Sequence, residues 1–127
     1  FPEMARKLVL EGATLLLVAA QFPHPRIAHW QTLLKARAIE NQVWVVASNR
    51  VGREEQDGYD ITFYGASFIA DQFGEKVQEA NAADETVLVQ QFDLDQLEHI
   101  RAAWGVFRDR RPNLYGPLKT LDGSLES

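Results

Sequence analysis

Two short apolar runs, residues 14–19 (TLLLVA) and 43–47 (VWVVA), stand on either side of one long amphipathic segment, and this arrangement most restricts the fold. Each run is too short for a helix, and an unbroken apolar run is how a strand covered on both faces reads. Between them Ile27, Trp30, Leu33, Leu34 and Ala38 recur at helical spacing, giving a helix with one apolar face. Pro25 suits that helix's first turn, where its missing N–H would be unsatisfied anyway. Asn41 is expected to supply the left-handed turn between helix and second strand. Strand–helix–strand of this kind is the pattern of a parallel pair with a right-handed crossover. In open α/β sheets, ligands lie beyond the carboxyl ends of the strands. Gln21 and Phe22 follow the first strand and Asn49 and Arg50 the second, so the stretch 25–52 supplies a core and a candidate pocket edge. For Gln21 and Phe22, pocket wall and plain loop are even readings.

The remaining chain reads in order. Residues 2–11 form a helix with Ala5, Leu8 and Val9 on one face and Gly12 as its left-handed cap. Residues 53–60 (REEQDGYD) read as an exposed loop. Residues 61–70 (ITFYGASFIA) read as one strand region interrupted at Gly65, a bulge or a close backbone approach. Residues 71–74 form a turn and 75–79 a returning hairpin strand. Residues 85–92 (ETVLVQQF) read as a further strand. Asp93 and Gln96 form a capping box before Leu94, Leu97, Ile100 and Trp104, the apolar face of a last helix that ends at Gly105. Residues 106–127 are an irregular tail.

A chain of 127 residues suggests one domain with a real core. An apolar fraction of 46%, a charged fraction of 24% and a net charge of −5 are ordinary for a globular protein and argue against a nucleic-acid surface. The longest apolar run is far short of a membrane span. The absence of cysteine excludes disulfides and thiolate metal sites within these residues and suits a cytoplasmic protein. Gly65-Ala66-Ser67 lacks the closing glycine of a nucleophile elbow, and His24, His29 and His99 are too scattered to suggest a metal site. Arg37 and Glu40 sit at i, i+3, an ion pair first and pocket-lining groups with Asn49 second. Tyr59, Phe63 and Tyr64 read as packing before ligand stacking. Arg108, Asp109, Arg110 and Arg111 read as a salt-bridge network anchoring the tail.

Four segments taken together resemble the C-terminal half of the nitrilase superfamily of carbon–nitrogen hydrolases. They are Phe1-Pro2-Glu3; His29-Trp30 with the run 36–42 (ARAIENQ); the run 47–52 (ASNRVG); and the run 63–69 (FYGASFI). The ending 104–115 (WGVFRDRRPNLY) is similar to the N-carbamoylputrescine amidase branch, whereas residues 19–23 through 39–42 look more like ω-amidases. The resemblance implies half of a four-layer α-β-β-α sandwich with a mixed sheet, formed by residues 1–127 as part of one domain, with 105–127 as an extended, interface-like tail. It implies hydrolysis of an amide or N-carbamoyl C–N bond through a cysteine thioester-type intermediate, with ammonia released and no cofactor. The glutamate, lysine and cysteine of that chemistry match nothing in this sequence, and the family's cysteine falls a few residues before the position of Phe1. Within the chain, the resemblance implies that Gln21, Phe22 and Asn49 face the substrate and that His29, Arg37 and Glu40 support the pocket from behind. The non-enzymatic alternative is a catalytically dead domain serving as a binding or scaffold module.

The implied partners are a small amide or N-carbamoyl substrate, the missing N-terminal half and further copies of the chain in a homodimer or larger homo-oligomer, with no nucleic acid and no membrane. Half a sandwich leaves an apolar sheet face bare. The 127-residue polypeptide on its own is therefore expected to aggregate or to need a partner. Size-exclusion chromatography with thermal melting checks this; a monodisperse, cooperatively melting monomer would contradict it.

Overall fold

The computed structural model describes residues 1–124; the last three residues of the expected tail lie outside the described residues. The chain runs through α1 (Pro2–Leu10), β1 (Leu15–Ala20), α2 (Ile27–Asn41), β2 (Trp44–Asn49), β3 (Val51–Gln56), β4 (Tyr59–Tyr64), β5 (Phe68–Ala70), β6 (Lys76–Glu79) and α3 (Asp95–Ala103). Two short 3-10 turns, Pro112–Leu114 and Gly116–Lys119, follow in the tail. Among the described residues no helix is long and apolar enough to cross a membrane.

The main sheet has the order β1-β2-β5-β6. β1 and β2 are parallel, in register from Leu15 opposite Trp44 to Ala20 opposite Asn49, as two apolar runs joined by a helix require. β5 and β6 are antiparallel additions, so the sheet is mixed. Alternation along the strands gives it two apolar faces. Leu16, Val45, Ala47, Phe68 and Ala70 pack with Val9 of α1 and with Trp30 and Ala38 of α2. On the opposite face Trp44 and Ile69 meet Leu97 of α3, with Leu15, Val46, Leu88 and Phe92 at the margin. Leu17, on that same face, is 72% exposed.

The structure departs from the sequence reading in several places. α2 begins at Ile27, with Arg26 as its N-cap, so Pro25 precedes the first turn. The left-handed residue after α2 is Gln42 (φ 48°); Asn41 stays helical and fully buried, its side-chain NH2 donating to the Arg37 carbonyl at 2.9 Å. A capped carboxamide thus leaves the positive φ to its neighbour. Residues 53–60 are no loop: β3 and β4 form a two-stranded hairpin turning through Asp57 (φ 51°) and Gly58 (φ 85°). Its register sets Glu55 directly opposite Asp60, and Arg53, opposite Thr62, reaches diagonally to Asp60 at 2.6 Å and lies 3.6 Å from Glu55, so one guanidinium offsets the like-charge pair and lets a polar sequence hold strands.

Residues 61–70 divide between two sheets at Gly65 and Ala66, both left-handed (φ 53° and 50°), which is the interruption the glycine signalled. Residues 85–92 form no strand among the described residues. Their apolar side chains split between both sides: Leu88 and Phe92 touch the sheet, while Val87 and Val89 are 83% and 80% exposed and the backbone finds no ladder. At α3 the structure shows half of the expected capping box: the Asp93 carboxylate accepts from the Gln96 N–H at 3.2 Å, while the N-cap position itself falls on Leu94. Of the expected apolar face, only Leu97 is fully buried; Leu94 and Trp104 are half exposed. Tyr59 is exposed at the hairpin, whereas Phe63 and Tyr64 are buried.

Of the expected salt-bridge network, the described residues show only the exposed Arg108–Asp109 pair, at 3.4 Å, and cation–π stacking fastens the tail to the body. The guanidinium carbons of Arg6 and Arg101 lie 4.7 and 5.5 Å from the Phe107 ring centre, and Arg110 stacks on Tyr115. Burial holds Arg6 and Arg101 below the ordinary arginine pKa, the first partly offset by Glu40 and the second by Glu98.

A Cβ placed on Gly65 would stand 2.5 Å from Val51 Cγ1 and 3.0 Å from the Asn81 carbonyl oxygen, whereas one on Gly58 meets open space. Both have positive φ. Gly65→Ala is expected to cost about 2–4 kcal/mol and Gly58→Ala about 1 kcal/mol in urea unfolding. Equal losses would contradict a close-packed corner at Gly65.

Candidate functional site

The carboxyl edge of the sheet is held by one side chain. Asn49, last residue of β2, is 7% exposed and turned toward the helix-covered face that Val45 and Ala47 share. Its Oδ1 accepts from the Phe22 N–H at 2.7 Å, and its Nδ2 donates to the Phe22 carbonyl at 3.1 Å and the Gly65 carbonyl at 3.0 Å. The Asn49 N–H donates to Ser67 Oγ at 2.9 Å, and that hydroxyl donates back to the Asn49 carbonyl at 3.3 Å. Backbone bonds run alongside, from Arg50 N–H to Ala20 and from Gly65 N–H to Arg50. A single carboxamide therefore ties together the ends of β1 and β2 and the corner between β4 and β5.

Aromatic side chains back this edge. Phe22 packs against Trp30 with ring centres 5.5 Å apart, and Trp30 meets Phe68 edge-on at 6.3 Å. The indole N–H of Trp30 donates to the Ala66 carbonyl at 3.4 Å. His24 lies edge-on to Tyr64 at 5.2 Å, and the Tyr64 hydroxyl donates to the Arg26 carbonyl at 3.4 Å. Burial raises the Tyr64 pKa above the usual phenol value, so it remains a neutral donor.

The charges around the edge are paired in part, two arginines against an excess of acids. Arg50 stacks over Phe63 at 4.4 Å, pairs with Glu54 at 2.7 Å and reaches the Gln21 side-chain oxygen at 3.5 Å. On the hairpin, Arg53 grips Asp60 with two hydrogen bonds, 2.6 and 2.7 Å, and lies 3.6 Å from Glu55. The hydrogen bond from Arg53 lowers the Asp60 pKa, and the same contact raises that of Arg53.

The expected site residues are brought to one region but open onto three recesses. Asn49 lines a cavity of about 560 Å³ at the end of β2 with Arg50, Ser67 and Asp84. Gln21 and Phe22 line a smaller one of about 380 Å³ with His24 and Arg26. Phe22 also borders an apolar groove of about 630 Å³ between α1, β1 and α2, which His29 and Arg37 share. Glu40 borders none of these; it pairs with Arg37 at 2.5 Å while its carbonyl accepts from Arg6. Sequence reasoning missed Ser67, Asp84 and Glu85. The first was legible only as the residue that follows the Gly65–Ala66 corner, the others only as acids beyond a sheet edge.

Because Asn49 supplies one acceptor and two donations to buried backbone, Asn49→Asp removes both donations and sets a carboxylate against two carbonyls. The variant is expected to lose about 3 kcal/mol or more of stability and to release the Phe22 amide to hydrogen exchange. Unchanged protection at Phe22 would contradict the stapling role.

The chain matches the carbon–nitrogen hydrolase family over residues 1–102. It is 47% identical to an N-carbamoylputrescine amidase of Arabidopsis thaliana, across 98% of this chain and 46% of that protein. It is 39% identical to a 2-oxoglutaramate amidase of Bacillus subtilis, across 91% of this chain and 42% of that protein. The chain thus spans about half the length of the curated relatives it matches. Among solved structures, a carbon–nitrogen hydrolase from Helicobacter pylori G27 superposes with a TM-score of 0.84 at 32% identity, covering 95% of this chain and 46% of that one. A glutamate-to-glutamine mutant of an amidase from Nesterenkonia sp. AN1 superposes at 0.68 with 29% identity, covering 91% of this chain and 38% of that one; it carries the acetamide moiety of fluoroacetamide covalently added at its active-site cysteine. Match, relatives and fold agree: the chain belongs to the carbon–nitrogen hydrolase family of the nitrilase superfamily.

Proposed function

We propose that the complete protein is an amidase that hydrolyses the C–N bond of a small amide or N-carbamoyl amine, and that this chain forms the substrate-side wall of its site. The observation that carries the reading is the stapled edge: two parallel strands end side by side, and Asn49 fixes the Gln21–Phe22 loop across their carboxyl ends. Ligands of open α/β sheets lie at such an edge. Gln21 and Phe22 present the wall, Asn49 positions it, and His29 and Arg37 border the groove behind Phe22 with Glu40 holding Arg37.

The reacting groups stand outside these residues. In the proposed reaction a cysteine thiolate attacks the carbonyl carbon, a glutamate acts as general base and a lysine stabilises the oxyanion. Collapse of the tetrahedral adduct breaks the C–N bond, with a proton delivered to the departing nitrogen so that ammonia leaves. Water then attacks the thioester-type intermediate and restores the thiol. The covalent adduct at the active-site cysteine of the Nesterenkonia amidase supports this route.

The test is ammonia release by the full-length protein from N-carbamoylputrescine and from 2-oxoglutaramate. At least one is expected to be turned over, and replacing the nucleophilic cysteine with alanine is expected to remove the activity, a loss of about a thousandfold or more. No release from either compound would contradict the proposal.

A further inference from the structure

Three helices meet on the short turn at residues 104–110, far along the chain from the proposed wall. The turn is closed by its own backbone bonds, from Val106 N–H to Trp104, from Asp109 N–H to Gly105 and from Arg110 N–H to Phe107. α2 reaches it from its C-terminal end, where the fully buried Gln42 donates a side-chain N–H to the Trp104 carbonyl at 3.0 Å. α1 and α3 reach it through arginines, Arg6 and Arg101, whose guanidiniums both lie over the Phe107 ring. Buried N–H groups at Arg6 Nη1 and at Arg101 Nε and Nη2 have no hydrogen-bond partner among the described residues. The ring face beside them offsets part of their desolvation.

For α1 this contact is a second anchor beside a small first one. Val9 is the one side chain of α1 that is fully buried, while Phe1, Met4 and Leu8 stay exposed. Those three line the apolar groove behind Phe22. Arg6 donates to the Glu40 carbonyl at 2.5 Å, and the Glu40 carboxylate pairs with Arg37, which lines the same groove. A path of direct contacts therefore runs from the Phe107 ring to the groove. We infer that Phe107 is a positioning residue of the proposed amidase: by holding Arg6 it sets α1 and, through Glu40, Arg37 along the groove that backs the Gln21–Phe22 wall. It acts through α1 and Arg37 rather than on the substrate. The inference rests on the amidase reading for its effect on turnover but not for the hold on α1.

The experiment uses the full-length protein with Phe107→Leu, which stays apolar but loses the ring, and Phe107→Tyr, which keeps the ring. Hydrogen exchange at the amides of residues 6–10 is expected to quicken about fivefold in Phe107→Leu and to stay at the wild-type rate in Phe107→Tyr, with the β2 amides unchanged in both. On N-carbamoylputrescine or 2-oxoglutaramate, whichever the wild type hydrolyses faster, Phe107→Leu is expected to raise KM about fivefold with kcat within about twofold. Phe107→Tyr is expected to restore the wild-type KM. Unchanged exchange in α1, a KM indifferent to the ring, a loss that Phe107→Tyr does not rescue, or a fall in kcat at constant KM, the mark of a smaller folded fraction, would overturn the inference. A wild type that hydrolyses neither compound, with α1 exchange still set by Phe107, would sink the amidase reading and uphold the hold on α1.

Discussion

Everything at the carboxyl edge of the sheet depends on where the Asn49 carboxamide spends its hydrogen bonds. Its oxygen and its two N–H groups go to Phe22 and Gly65, and its backbone exchanges bonds with Ser67. Buried polar groups are costly unless paired, so this constellation permits one arrangement of three chain segments and penalises the rest. Side chains at the edge then have fixed positions before any ligand arrives. The cost of pre-organising a site is met by folding rather than at binding.

The carboxamide acts on a frame built by hydrophobic periodicity. β1 and β2 pair because two apolar runs must be covered on both faces, and α2 covers one of them through Trp30 and Ala38. Trp30 does more than fill volume, since its indole N–H holds the Ala66 carbonyl beside the Gly65 corner. The hairpin beyond β2 sets Arg53 against four acids, Glu54, Glu55, Asp57 and Asp60, so acidic charge is left there as well as on the segment after β6. Geometry and electrostatics of the edge thus come from different parts of the chain.

The parallel pair, the helix between them and the location of Gln21, Phe22 and Asn49 at strand ends were legible in the sequence because period and run length encode them directly. What could not be read is where tertiary pairing overrides local pattern. The β3–β4 hairpin is polar and depends on the cross-strand fit of Arg53 with Asp60, which no single-strand pattern shows. Residues 85–92 have a strand's composition, yet a strand exists only where another supplies its hydrogen bonds. Val87, Val89 and Leu17 stay exposed for the same reason: the chain holds more apolar faces than it can cover by itself. Spacing marks Asn49 as a strand end, whereas its three carboxamide hydrogen bonds to residues 16 and 27 positions away leave no trace in any local pattern.

The central claim is that the edge stapled by Asn49 is a substrate wall. A crystal structure of the full-length protein, with its nucleophilic cysteine replaced by alanine and N-carbamoylputrescine trapped in the site, tests it most directly. The account predicts the substrate within about 4 Å of Phe22 or Gln21, with the Asn49 carboxamide still bonded to the Phe22 and Gly65 backbone. A substrate seated with no contact to that loop, or an Asn49 side chain released from both, would contradict it.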